Sequence, residues 1–275
     1  MRNRLFIFAT TLLLLSCWNN KTGKQQETEE TEHENLANVQ FTESCYNKEK
    51  KILNSEYPKY TVNIRMQYAQ GEGNTQQNIN KQLVTFLFGT NIMPPKDALN
   101  HFADSLTNSF EKELKEFYEP DNEYQETYAY EYTQKDSVYE KSPEGVIAYV
   151  NRIETYTGGA HGGAMESYIN FHKDTGMMIT CDELFGKNKD TVCKKIKDQI
   201  VKDNNCKTAA ELEEKRSIFS LGDVYISDSN FLLQEDGILF CFNPYEIAPW
   251  SEGFIFAILP YKQLEGMIST NIIKK

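Results

Sequence analysis

Residues 146–171 read VIAYVNRIETYTGGAHGGAMESYINF, two runs with the side-chain period of a strand on either side of a glycine-rich connection. In the first run Ile147, Tyr149, Asn151 and Ile153 alternate with Val146, Ala148, Val150 and Arg152. In the second, Met165, Ser167 and Ile169 share one side. Gly158, Gly159, Gly162 and Gly163 supply the positive φ and close backbone approach that a link between adjacent strands requires. A chain with this stretch must build an antiparallel pair here and arrange its other elements around it. His161 is the residue whose presence backbone shape does not explain. It reads first as a buried, hydrogen-bonded histidine and second as a ligand contact.

The strand period recurs in TVNIRMQY, where Val62, Ile64, Met66 and Tyr68 predict a strand over residues 60–69. FLLQEDGILFCFN sets two apolar runs around Glu235-Asp236-Gly237, a hairpin signal, and FIFAILP predicts a final buried strand. Elsewhere the spacing changes to that of a helix. Ile79, Leu83 and Leu87 predict a helix that Gly89 stops. Ala98, Phe102, Leu106, Phe110, Leu114 and Phe117 predict a long one over residues 96–118, after Pro94-Pro95 and before Pro120. Thr180 or Asp182 can cap a turn in ITCDELF; Val192, Ile196 and Ile200 mark a further helix, and TAAELEEKR another. Tyr128, Tyr130 and Tyr132 alternate on a strand; the long helix is expected to cover their face, and a platform on which a ligand stacks is the alternative. Local hairpins among unevenly placed helices predict an α+β class with antiparallel sheets, and the residues beyond position 40 suffice for one large domain or two small ones.

Ahead of these elements stands MRNRLFIFATTLLLLSC, in which Arg2 and Arg4 precede an apolar run too short to span a bilayer. This is the pattern of a signal peptide, residues 1–16, and its end resembles a bacterial lipobox with Cys17 as the lipidated mature N-terminus. The glutamate-rich stretch to residue 40 lacks the apolar residues of a core and is expected to be a flexible linker. The expected location is the bacterial cell envelope, at the outer membrane and facing periplasm or surface, with the lipid on Cys17 as the membrane attachment. Loss of Arg2 and Arg4 leaves 27 basic against 40 acidic residues, a formal charge of −13, which argues against nucleic acid as a partner.

Cys45, Cys181, Cys193, Cys206 and Cys241 are odd in number, so they cannot all pair within the chain. Cys193 and Cys206, which flank a helix, are the first candidate pair; small buried thiols are the alternative. No cysteine or histidine spacing indicates a metal, and no cofactor motif occurs.

YTGGAHGG with its following strand and DTG turn, the ITCDELF transition, and FLLQEDGILFCFNPYEIAPWSEGFIFAILPY together resemble the RsiV/PdaC-like family of bacterial envelope proteins. The resemblance is most specific over residues 156–264; upstream, from residue 60, it rests on the order of strands and helices. It implies two small α+β domains with antiparallel sheets, a PdaC-type N-terminal one over residues 41–164 and an RsiV-type C-terminal one over residues 165–275, sharing a hairpin-rich core. The family includes lysozyme-responsive anti-sigma factors and peptidoglycan deacetylases, so it implies as partner a cationic, lysozyme-like protein or a peptidoglycan or other envelope glycan. This sequence lacks the sigma-binding and transmembrane segments of the former and the aspartate-rich and HxxxH metal motifs of the latter. What it retains is the noncatalytic part, expected on a lipid anchor.

No GxSxG, HExxH or P-loop occurs, and no residue is assigned a catalytic role. An envelope hydrolase would have to use His161 with Glu166 and His172, yet a regular strand sets His161 and Glu166 on opposite faces. A binding module would use two loops: the glycine connection, with Gly159, His161 and Gly162, and the proline-bounded NPYEIAPWSEG, with Tyr245, Glu246 and Trp250. These are expected to border one groove. In a structural or assembly lipoprotein, the third reading, Tyr245 and Trp250 would pack between domains.

Overall fold

The computed structural model describes residues 39–273 apart from 54, 91–92 and 217–220; the expected signal peptide, Cys17 and nearly all of the linker lie outside the described residues. Five strands, β1 (Phe41–Lys51), β2 (Lys59–Ala69), β3 (Ala129–Tyr139), β4 (Val146–Tyr156) and β5 (Gly163–His172), form one sheet in chain order. All neighbours are antiparallel except β2 and β3. A parallel pair needs a long crossover, and here it carries α1 (Asn74–Phe88) and α2 (Pro95–Phe117). Gly89, at φ +69, ends α1 by donating its N–H to Thr85.

The crossover covers one sheet face with two apolar clusters. In one, Val62, Ile64 and Met66 of β2 meet Leu99, Ala103, Phe110 and Leu114 of α2. Tyr130 packs edge-on against Phe110 and Tyr132 lies against Phe102, so the tyrosine run is a helix-covered face, as its alternation suggests. In the other, Ile79 and Leu83 of α1 meet Ile147, Tyr149, Ile169 and Phe171. A polar row crosses the sheet between them. Tyr132 donates to Gln134 at 2.7 Å, Gln134 to Asp136 at 2.7 Å, Asn151 to the other Asp136 oxygen, and Ser167 to Asn151 at 3.1 Å.

The second sheet is a meander of β6 (Phe231–Gln234), β7 (Gly237–Phe242) and β8 (Ile255–Pro260). Phe231, Leu233, Ile238, Phe240 and Leu259 pack with Phe185 of α3 (Cys181–Phe185) and with Val192, Ile196 and Ile200 of α4 (Lys189–Asp203). Thr180 caps α3, and Thr208 caps α5 (Ala209–Lys215). The same core takes in Val146, Ala148 and Tyr168 from the helix-free face of the first sheet. There Asn170, wholly buried, acts as a peptide surrogate: its Nδ2 donates to Phe231 O at 2.9 Å and its Oδ1 accepts from Leu233 N–H at 2.9 Å.

The α+β class and both hairpins stand as the sequence indicates. Three details differ. β1 is an additional strand, whose mostly polar residues pair along the whole of β2. β8 is not a buried strand but a sheet edge, with Ala257 and Leu259 inside and Phe256 and Ile258 outside. Cys193 and Cys206 do not pair, and all five described cysteines are free thiols. The expected division after residue 164 falls at the head of β5, within the five-stranded sheet.

Candidate functional site

The β4–β5 connection turns as tightly as its glycines allow. Gly159 has φ +89, and a Cβ on Gly162 would lie 2.4 Å from the Thr155 carbonyl oxygen. Tyr156 donates its hydroxyl to Gly159 O at 3.0 Å and fixes the curl. His161 therefore sits at an exposed tip, which corrects the expectation of a buried histidine: the flanking glycines bring no side chains to cover it. Its Nδ1 lies 2.8 Å from the Gly162 carbonyl, which can only accept, so Nδ1 carries the proton. In the neutral ring Nε2 then accepts from the Tyr245 hydroxyl at 3.2 Å. The imidazole lies flat on Trp250, with ring centroids 4.7 Å apart and planes within 6°.

Tyr245 and Trp250 come from the β7–β8 loop, so the two loops singled out in the sequence do meet. The loop is braced from below. Glu246 accepts from the Asn243 N–H at 2.8 Å and from Asn243 Nδ2 at 3.2 Å, and Asn243 Oδ1 accepts from the Glu166 N–H of β5 at 2.7 Å. Glu246, expected among the ligand contacts, thus spends its carboxylate on the brace. Tyr245 adopts φ +74 and donates its N–H to Ala248 O at 2.8 Å, which leaves its side chain out in solvent at 59% exposure.

Beside the platform lies a cleft of about 300 Å³ lined by Glu131, Thr133, Glu154, Thr155, Tyr156 and Trp250 among others. Strand register makes it: Glu131 stands opposite Tyr156 and Thr133 opposite Glu154. Arg152 pairs with Glu154 at 3.1 Å and reaches Glu166 at 3.9 Å, whereas Glu131 has no ion pair among the described residues. Aromatic faces, hydroxyls and carboxylates thus share one opening. Sequence reading missed Glu131, Thr133, Glu154 and Thr155. For Glu131, Thr133 and Glu154 the signal was the period-two polar side of EYT and ETY, with Thr155 on the alternate side, but only the register puts those two segments together.

The acid–base grouping considered from the sequence is dispersed. Glu166 accepts from the Tyr168 hydroxyl, and His172 pairs with Glu183 at 2.8 Å. No three His, Cys, Asp or Glu side chains converge as a metal site among the described residues.

Comparison with known proteins falls into two parts along the chain. Residues 54–164 match the family model described as deacetylase PdaC, and residues 182–262 match that of a protein of unknown function, DUF3298. A crystal structure of a DUF3298 family member from Bacteroides fragilis NCTC 9343 superposes with a TM-score of 0.73 at 22% identity, covering 85% of this chain and 94% of that one. A DUF3298 family protein from Pseudomonas aeruginosa PAO1 does so with a TM-score of 0.59 at 15% identity, covering 86% and 98%. No curated protein matches the chain.

Proposed function

Because the chain carries a PdaC-type domain followed by a DUF3298 domain, we propose that it is a noncatalytic binding module of the bacterial cell envelope, tethered by lipid on Cys17 at the outer membrane. Its ligand is a cationic, lysozyme-like protein. The observation that carries this reading is the His161–Trp250 stack beside Glu131 and Glu154. An arginine of such a partner can lie on an aromatic face while its guanidinium meets a carboxylate, a pairing that lysine or a neutral group makes less well. Chain charge acts in the same direction, because an acidic protein attracts a basic one at long range.

The test is binding of a lysozyme by the chain carrying Cys17→Ser, at low and at high salt. Binding that weakens steeply with salt, and that Glu131→Gln with Glu154→Gln reduces, supports the reading. No binding at low salt overturns it. The Trp250 ring and the Thr133 hydroxyl favour one second reading, an envelope glycan stacked on Trp250. Sedimentation with purified peptidoglycan separates the two, since carboxylates disfavour an anionic polymer and salt would then strengthen binding.

A further inference from the structure

The edges of the two sheets are finished in different ways, and one of them is left bare. On β5 the outward groups are closed one after another: Glu166 N–H by the Asn243 side chain at 2.7 Å, Tyr168 N–H by Ser229 O at 2.9 Å, Asn170 C=O by Ile179 N–H at 2.7 Å and His172 N–H by Met177 O at 2.8 Å. On β6 the Asn170 amide closes Phe231 and Leu233. The outer edge of β1 is open but carries Glu43, Lys48, Glu49, Lys50 and Lys51, the kind of charges that keep an edge from pairing.

β8 has neither protection. Its run, residues 253–260, reads GFIFAILP and contains no charge, in a chain with 40 acidic and 29 basic residues. Tyr261 donates its N–H to Asp236 O at 3.3 Å, and the ladder alternates from there. Ile255, Ala257 and Leu259 therefore turn their backbone groups to β7, while Phe256 and Ile258 turn theirs outward. Pro260, which has no N–H, falls on the outward side, where a strand tolerates it. No described residue pairs with this edge. The side chains of Phe256 and Ile258 are 42% and 47% exposed, and Phe254 stacks beside Phe256 with centroids 6.0 Å apart.

We propose that β8 is a self-association edge, where a second copy of this chain adds its own β8 antiparallel to make a continuous six-stranded sheet. The occupant follows from symmetry and charge. Pairing about Ala257 sets Phe256 of each copy opposite Ile258 of the other, so the outward N–H and C=O groups at both positions find the same groups at matching spacing. The exposed phenylalanine and isoleucine become cross-strand neighbours. An acidic chain repels its own copies over most of its surface, and this strip brings no like charges together.

The test is sedimentation velocity of the chain carrying Cys17→Ser, over a series from about 1 to about 100 µM. A dimer that forms with rising concentration is expected. Ile258→Lys, which puts a charge on the edge, and Phe256→Pro, which removes an outward N–H, should each weaken it at least tenfold while far-UV circular dichroism is unchanged. Hydrogen exchange at the Phe256 and Ile258 amides should slow as the wild-type concentration rises. A wild-type chain that stays monomeric throughout, these amides exchanging equally fast at all concentrations, or equal dimerisation by both folded variants would each overturn the proposal.

Discussion

The two helix-covered sheet faces are built on different principles. Between α3/α4 and the three-stranded sheet the contact is apolar: Phe185, Val192, Ile196 and Ile200 against Phe231, Leu233, Phe240 and Leu259. Between α1/α2 and the five-stranded sheet, the row of Gln134, Asp136 and Asn151 runs through the middle and divides the apolar contacts into two clusters. None of these side chains titrates between pH 5 and pH 8, so the first face is expected not to respond to pH in that range. The second contains a carboxyl that is 1% exposed and held by neutral amides, with no ion pair to a cation among the described residues. Burial pushes Asp136 up to about 7, against the opposing effect of the Asn151 and Gln134 hydrogen bonds. An interface can thus be well packed and still respond to protons, if its polar row is satisfied by amides instead of counter-ions.

The largest expected effect comes from breaking the apolar face. Phe240→Ala should cost about 3–5 kcal/mol in denaturant unfolding, by an amount that does not change between pH 5 and pH 8. The seam between the sheets comes next. Asn170→Ala leaves Leu233 N–H and Phe231 C=O buried without partners, and a loss of roughly 2–5 kcal/mol is expected.

Asp136→Asn sharpens the contrast through pH. The raised native pKa means that between the ordinary carboxylate pKa, about 4, and about 7 the folded chain binds a proton that the unfolded chain has released. This group's contribution to stability therefore falls as pH rises through that window and is level above it. Wild type should lose about 1 kcal/mol or more from pH 5 to pH 7.5, and the variant should lose that slope. A wild-type melting temperature that does not fall across the window would remove the distinction between the faces. Trp250→Ala lies outside both interfaces and should shift stability by less than about 1 kcal/mol while weakening ligand binding at least about tenfold. A large loss of stability there would favour a structural role for the loop.

The elements that sequence reading located are those whose side chains repeat the period of a buried face. Leu99, Ala103, Phe110 and Leu114 disclose α2, and Phe231 to Phe242 with their acidic turn disclose a hairpin. β1 escaped because an edge strand with one neighbour needs few apolar residues, and FTESCYNKEKK reads as polar chain. FIFAILP is apolar throughout, and such a run does not say which side is outside. For the site, His161, Tyr245 and Trp250 were legible as unusual residues in glycine- and proline-shaped loops. Their stacking and the carboxylates beside them arise from strand register and from the Glu246–Asn243 brace, which are properties of the assembled sheet.

Asn170 also imposes an order in time. It leaves the ribosome 61 and 63 residues ahead of Phe231 and Leu233, the two groups its amide must satisfy. Until they arrive, the β5 face that carries Asn170 and Tyr168 lacks the groups that cover and satisfy it in the finished fold. A nascent chain halted near residue 180 should therefore be a substrate for chaperones and proteases, and the native state becomes available only as synthesis nears its end.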